Sequence, residues 1–224
     1  DPGVQNAGWT SKVEASLHES NISYVTFCDV TPNPKDYEIM AGVEVYRTEG
    51  CNIIIAVGGG SPMDCAKGIG VVAGNPSMIT DFEGVDEVPN PGPPLIFIPT
   101  TAGTSADVSQ FAIITDTARK VKLTIISKMV IPDIALVDPK TTVTMSPELT
   151  AATGMDALCH SFEAFVSTAS SPLTDMAALS SIALIRDNLL GAYKHPVNMT
   201  YRNNMMMASL MAGFAFSNAS LGLV

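Results

Sequence analysis

The chain has 224 residues, 46% of them apolar, and a formal net charge of −10. That size and apolar content suffice for one large domain, or for one domain and part of a second. The acidic balance, with no basic stripe, argues against a nucleic-acid partner, and no run of about 18 apolar residues offers a membrane span.

The elements alternate at first. Ile22–Phe27 reads as a strand, and Asp36–Thr48 carries apolar residues at helical spacing. Asn52–Val57 reads as a short buried strand, followed by Gly58-Gly59-Gly60-Ser61 and a helix to about Ala73. Leu95–Ile98 is a further strand, stopped by Pro99. Phe111–Thr115 and Val121–Ile126 form a strand pair about the turn at Asp116–Lys120. Ile134–Val137 is the last strand, ended by Asp138-Pro139. This alternation predicts a mainly parallel sheet covered by helices. After Met145 helical periodicity takes over. Ser146-Pro147-Glu148 supplies a capping serine, a proline at the first helical position and an acid. Ser171-Pro172 opens another helix, His195-Pro196 closes it, and Met205–Phe216 is apolar and helical. The expected organisation is an α/β nucleotide-binding domain over residues 1–145, and the start of an all-helical domain over 146–224.

The four cysteines, Cys28, Cys51, Cys65 and Cys159, show no CxxC spacing, as expected of reduced thiols in a cytoplasmic protein. No charged-then-apolar leader opens the chain. It starts at Asp1 without Met and stops at Leu221-Gly222-Leu223-Val224, inside an apolar stretch, as a piece of a longer protein would.

Three segments carry chemistry. In Gly58–Lys67 a glycine run between strand and helix lets backbone N–H groups approach an anion at a helix N-terminus, where a diphosphate fits. The third glycine of the Rossmann fingerprint is replaced by Met63, and there is no Walker GK[ST]. The alternative is a tight turn in which Ser61 and Asp64 form a capping box. Thr100–Asp107 follows a strand end with small hydroxyl and glycine positions, at the sheet edge where open α/β folds bind ligands; the alternative is an ordinary polar loop. Asp156 and His160, four apart on a helix, present two ligands for a divalent cation on one face, or a plain hydrogen-bonded pair. His18 reads as a surface residue, His195 as a helix-end residue, the cluster Met205, Met206, Met207 and Met211 as core, and Cys159 as packing.

Together these motifs resemble the iron-containing (group III) alcohol dehydrogenases. The resemblance covers essentially the whole chain. It rests on Val30-Thr31-Pro32-Asn33-Pro34, on Gly58–Ser61 with Asp64 and Lys67, and on Thr100-Thr101-Ala102-Gly103-Thr104. Ile114-Thr115-Asp116 with Lys120–Lys122, Leu149–Leu158 with His160, and Ala212–Ala219 complete it. It implies NAD-dependent, metal-dependent hydride transfer between small alcohols and aldehydes in a homo-oligomer, dimer or higher. Asp156 and His160 become the first two of four metal ligands, for Fe²⁺ or Zn²⁺, with no catalytic residue beyond the ligands. Gly59, Gly60, Ser61 and Asp64 resemble the pyrophosphate and nicotinamide-side contacts. Thr100, Thr101 and Thr104 resemble the second wall of the cofactor cleft, and Lys122 a polar contact reaching it. Asn33 resembles an adenosine-side contact. Asp1 resembles the acid that holds the adenosine ribose and favours NAD over NADP. Ser105-Ala106-Asp107 departs from the commoner Gly-Ser-Glu. The family takes its other two ligands from histidines on later helices. This chain is therefore expected to bind NAD weakly, to be inactive by itself, and to expose Leu210, Phe214 and Phe216. The alternatives are a non-catalytic nucleotide-binding fragment or subunit, and a glycerol dehydrogenase or dehydroquinate synthase type of enzyme. The latter lacks the Asp-x-x-x-His pair.

Overall fold

The computed structural model describes residues 1–221. The chain divides into two compact units, Asp1–Ile98 with Gln110–Ala135, and Pro99–Ser109 with the chain from Leu136 on. The threonine-rich segment after the strand at Leu95 thus groups with the helices.

The first unit opens with α1 (Pro2–Asn6), α2 (Trp9–Glu19) and α3 (Asp36–Thr48). Glu38 fixes the start of α3, its Oε2 accepting from the Lys35 N–H at 3.0 Å and its Oε1 from the Thr31 hydroxyl at 2.6 Å. Next come β1 (Ile54–Gly58), α4 (Gly60–Gly74), β2 (Gly84–Val85) and β3 (Leu95–Pro99). The unit closes with β4 (Phe111–Asp116), β5 (Val121–Ile126) and β6 (Ile134–Ala135). The strands form two three-stranded sheets, in the orders β1-β3-β6 and β2-β5-β4. β3 pairs parallel with β6, and β2 with β5, whereas β4 and β5 form the expected antiparallel pair. Alternate residues point inward, Ala112 and Ile114 from β4 and Leu123 and Ile125 from β5, and all four are fully buried. They pack with Ile39 and Val43 of α3 and Ile69, Val71 and Val72 of α4. The period of two on the strands and the apolar stripes on the helices meet in one core.

Two strand expectations change. Ile22–Phe27 takes no place in a sheet. Its neighbour in space is an apolar slot of about 390 Å³ that it lines together with β1, so its backbone meets a cavity where a ladder partner would have to be. The last strand shrinks to Ile134–Ala135, because only Ile134 and Ala135 find partners, in Ile96 and Phe97. The two-residue β2 had no apolar run to announce it.

In the second unit α5 (Pro147–Val166), α6 (Pro172–Lys194) and α7 (Met199–Ala219) pack together. Each start is capped as its sequence dictates. Ser146 Oγ accepts from the Leu149 N–H at 3.1 Å, Ser171 Oγ from Thr174 at 3.3 Å and Asn198 Oδ1 from Thr200 at 3.0 Å. Ala157, Ala164, Ala178, Ala208 and Ala212 are fully buried, so small side chains let the helices approach closely. The same seam carries polar groups in matched pairs. Ser161 Oγ lies 2.8 Å from Ser181 Oγ, and the Ser181 hydroxyl donates to the Ala208 carbonyl at 2.8 Å. Arg202 is buried among neutral oxygen partners. Its guanidinium donates to the Pro196 carbonyl (2.6 Å), the Thr150 hydroxyl (2.9 Å) and the Met145 carbonyl (3.4 Å). Burial lowers its pKa from the usual value. Among the described residues no helix is long and apolar enough to cross a membrane.

The expected exposure of the last helix is only partly met. Phe214 is exposed and Leu210 half-buried, but Phe216 is buried, because its ring packs 4.8 Å from that of His160. Gly222, Leu223 and Val224 lie outside the described residues.

Candidate nucleotide and metal sites

The glycine turn lies between β1 and α4. Gly58 has φ +153°, a conformation only glycine holds without strain, and a Cβ there would stand 2.6 Å from Pro62 Cγ. Gly59 is the N-cap of α4, with no side chain to cap it, and Gly60 is the first helical residue. The first N–H groups of this 15-residue helix thus have no side-chain acceptor at the cap, which is the arrangement that receives an anion. The expected Ser61–Asp64 capping box does not form. The helix starts at Gly60, so Ser61 sits one residue inside it and its Oγ accepts from the Asn33 N–H at 3.2 Å.

Asp64 turns inward. Its carboxylate accepts from the Ile113 N–H, and burial pushes it up to about 7 against the pull of Lys67, that N–H and Lys122. Lys67 is fully buried and donates to the Phe111 carbonyl at 2.7 Å. Asn33 adopts φ +55°, and its carbonyl accepts from the Thr115 hydroxyl at 3.2 Å. Asp1 caps α1, its Oδ1 accepting from the N–H of Gly3 at 2.8 Å and of Val4 at 3.1 Å. Val4 in turn lies 3.3 Å from the position of a Cβ on Gly58, so α1 packs on the glycine turn. Within the first unit, then, Asn33 joins Ser61, α1 with its cap Asp1 packs on the glycine turn, and the Lys122 charge acts on Asp64.

In the second unit Thr100 is buried, and Thr101 and Thr104 are half-buried. The loop they occupy is pressed onto α5. A Cβ on Gly103 would come within 2.8 Å of the Thr153 carbonyl oxygen and 2.7 Å of its Cβ, so only glycine permits this approach. Ser105 takes φ +52° and donates to the Ser209 carbonyl at 2.5 Å. That left-handed backbone is one that glycine adopts more readily than serine. Further along α5, His160 Nε2 lies 3.7 Å from Asp156 Oδ1. That is too long for a hydrogen bond but within the span of two donors on one ion, each at about 2.0–2.2 Å. His160 Nδ1 is buried and has no hydrogen-bond partner. His160 Nε2 and the half-exposed Asp156 carboxylate that faces it fit a cation, and the His160 ring packs on Phe216. Among the described residues no group of three or more His, Cys, Asp or Glu could hold a metal, so the pair stands alone.

Sequence reasoning gave Gly103 and Lys67 no physical role. The signal for Gly103 was a glycine among hydroxyl residues, and for Lys67 a lysine inside an apolar helix.

The model of the iron-containing alcohol dehydrogenase family matches residues 1–139, and that of the C-terminal part of the same family matches residues 150–224. Alcohol dehydrogenase 4 of Schizosaccharomyces pombe is 44% identical over 224 residues, covering 100% of this chain and 53% of the relative. The crystal structure of a 1,3-propanediol oxidoreductase superposes with a TM-score of 0.97 at 42% identity, covering 99% of this chain and 58% of that one. A sulfoacetaldehyde reductase from Bifidobacterium kashiwanohense, solved in complex with NAD+, gives a TM-score of 0.90 at 33% identity, with 96% and 57% covered. The chain belongs to the iron-containing alcohol dehydrogenase family, and it spans little more than half the length of the curated relatives it matches.

Proposed function

We propose that this chain is the nucleotide-binding half and the first part of the metal-binding half of an NAD-dependent, metal-dependent alcohol dehydrogenase. The reaction is the interconversion of small alcohols and aldehydes by hydride transfer. The observation that carries this reading is the Asp156–His160 pair on α5, with Oδ1 and Nε2 facing each other at 3.7 Å, in a chain that also holds a glycine turn open to an anion.

A divalent cation held there, Fe²⁺ by family and Zn²⁺ by equal suitability of the donors, supplies Lewis acidity toward the substrate oxygen. Asp156 and His160 hold it and move no proton. Gly59, Gly60 and Ser61 receive the diphosphate of NAD at the start of α4. Asn33 and Asp1 contact the adenosine side. The Asp1 carboxylate accepts from a ribose hydroxyl and repels a 2′-phosphate. Thr100, Thr101 and Thr104 offer small hydroxyl donors to the cofactor by family resemblance, and Lys122 a cationic contact. The protein is cytoplasmic and a homo-oligomer, dimer or higher, in this reading.

Metal analysis of the protein at the full length of its relatives tests the assignment. Asp156→Ala and His160→Ala are each expected to lose the bound metal. Retention of one metal per chain in either variant would refute the ligand role.

A second reading is a nucleotide-binding chain with no catalysis of its own. It is favoured by the absence of a third ligand among the described residues. NAD binding without metal-dependent turnover in the full-length protein would select it.

A further inference from the structure

In an antiparallel pair, alternate residues turn their N–H and C=O toward the neighbouring strand and away from it. β4 lies at the edge of its sheet, with β5 as its strand neighbour. Phe111, Ile113 and Thr115 turn outward, and none of the three reaches a full strand on that side. The Phe111 carbonyl accepts from Lys67 Nζ, the Ile113 N–H donates to the Asp64 carboxylate, and the Thr115 N–H donates to the Pro34 carbonyl at 2.8 Å. Two side chains of α4 and the backbone before α3 thus replace a ladder neighbour.

The contacts close into a circuit. The Thr115 hydroxyl donates to the Asn33 carbonyl, the Asn33 N–H donates to Ser61 Oγ, and Ser61 stands one turn before Asp64 on α4. The nucleotide turn and the Asn33 loop are therefore hung from one strand edge by the same short helix segment. Lys67 has no reach to solvent, so its charge serves the interior. Two polar side chains tied to one strand edge in this way fix one geometry.

We propose that Asp64 and Lys67 are positioning residues of the nucleotide site: they peg α4 to the open edge of β4 and so hold Ser61 and Asn33 where the cofactor meets them. Neither side chain touches NAD. The effect on binding rests on the NAD reading above, whereas the pegging does not.

The test uses the protein at the full length of its relatives and two measurements. Amide hydrogen exchange reports the circuit without any ligand, and calorimetric titration with NAD reports the site. Asp64→Asn keeps an acceptor for the Ile113 N–H and is expected to leave both within about threefold of the parent. Asp64→Leu is expected to speed exchange at Ile113 and Asn33 by about tenfold or more and to weaken NAD by about tenfold. Exchange at Ala112 and Ile114, which face β5, stays unchanged. Lys67→Met removes the other peg and is expected to act in the same direction, which keeps the test open should Asp64→Leu not fold. If Asp64→Asn weakens NAD as much as Asp64→Leu, the carboxylate contacts the cofactor directly and the proposal fails. If Asp64→Leu frees Ile113 but leaves Asn33 protected and NAD affinity intact, the circuit transmits nothing and the proposal also fails. If the parent binds no NAD but the exchange pattern holds, the pegging stands and the nucleotide reading falls.

Discussion

The two units meet their polar obligations in opposite ways. In the first, the groups around the glycine turn are mutually satisfied: Ser61 with Asn33, Asn33 with Thr115, Asp64 with Ile113, Lys67 with Phe111. In the second, the functional pair is left wanting, with His160 Nδ1 buried and unpartnered and Asp156 beyond hydrogen-bond range. Buried polar atoms without partners are costly, so proteins keep few of them and keep them where something else binds. The groups around the glycine turn are complete among themselves, and the Asp156–His160 pair is not.

The comparison breaks most sharply at the metal pair. In the full-length protein His160→Ala should lower turnover by at least about a thousandfold while leaving the NAD Kd within a factor of about three, since the two sites draw on different residues. Steady-state kinetics beside calorimetry would show it, and a joint loss of both would deny the division. Next in size is the buried guanidinium. Arg202→Met strips the Thr150 hydroxyl and two carbonyls of their donor, at a cost of about 3 kcal/mol in denaturant unfolding. Gly103→Ala forces a Cβ into the Thr153 backbone and should cost about 2 kcal/mol, with the midpoint of thermal unfolding as readout. The smallest effect is a pH dependence of the first unit. The Asp64 carboxyl keeps its proton to about 7, well above its unfolded value of 3.8. Folding therefore takes up a proton between those values. The contribution is full below about pH 4 and is lost as pH rises through about 7. Asp64→Asn should flatten that slope in stability measured across the range, and an unchanged slope would assign it elsewhere.

Much of the fold was legible because local signals and packing agree. Asp36–Thr48 is helical to the residue, Ser146 and Ser171 cap the helices they were expected to start, and the β4–β5 pair turns where Asp116–Lys120 predicted. The errors come where tertiary context decides. Ile22–Phe27 has strand composition but no partner strand, and composition alone cannot supply one. Ser61 and Asp64 have capping-box spacing, yet the helix begins two residues early and the backbone of a strand edge, distant in sequence, takes the carboxylate. Phe216 reads as an exposed apolar residue until its contact with His160, 56 positions earlier on another helix, is seen. For the site, residue types and spacing showed which side chains could act. They could not show that Asp64 faces inward, because nothing local to Gly58–Lys67 reveals the edge of β4.

The most direct measurement is alcohol-dependent NADH formation by the full-length protein, before chelation, after chelation, and after restoring Fe²⁺. The account predicts turnover that disappears with the metal, returns with it, and never appears in the His160→Ala variant. Turnover that persists in the chelated enzyme or in that variant would contradict it.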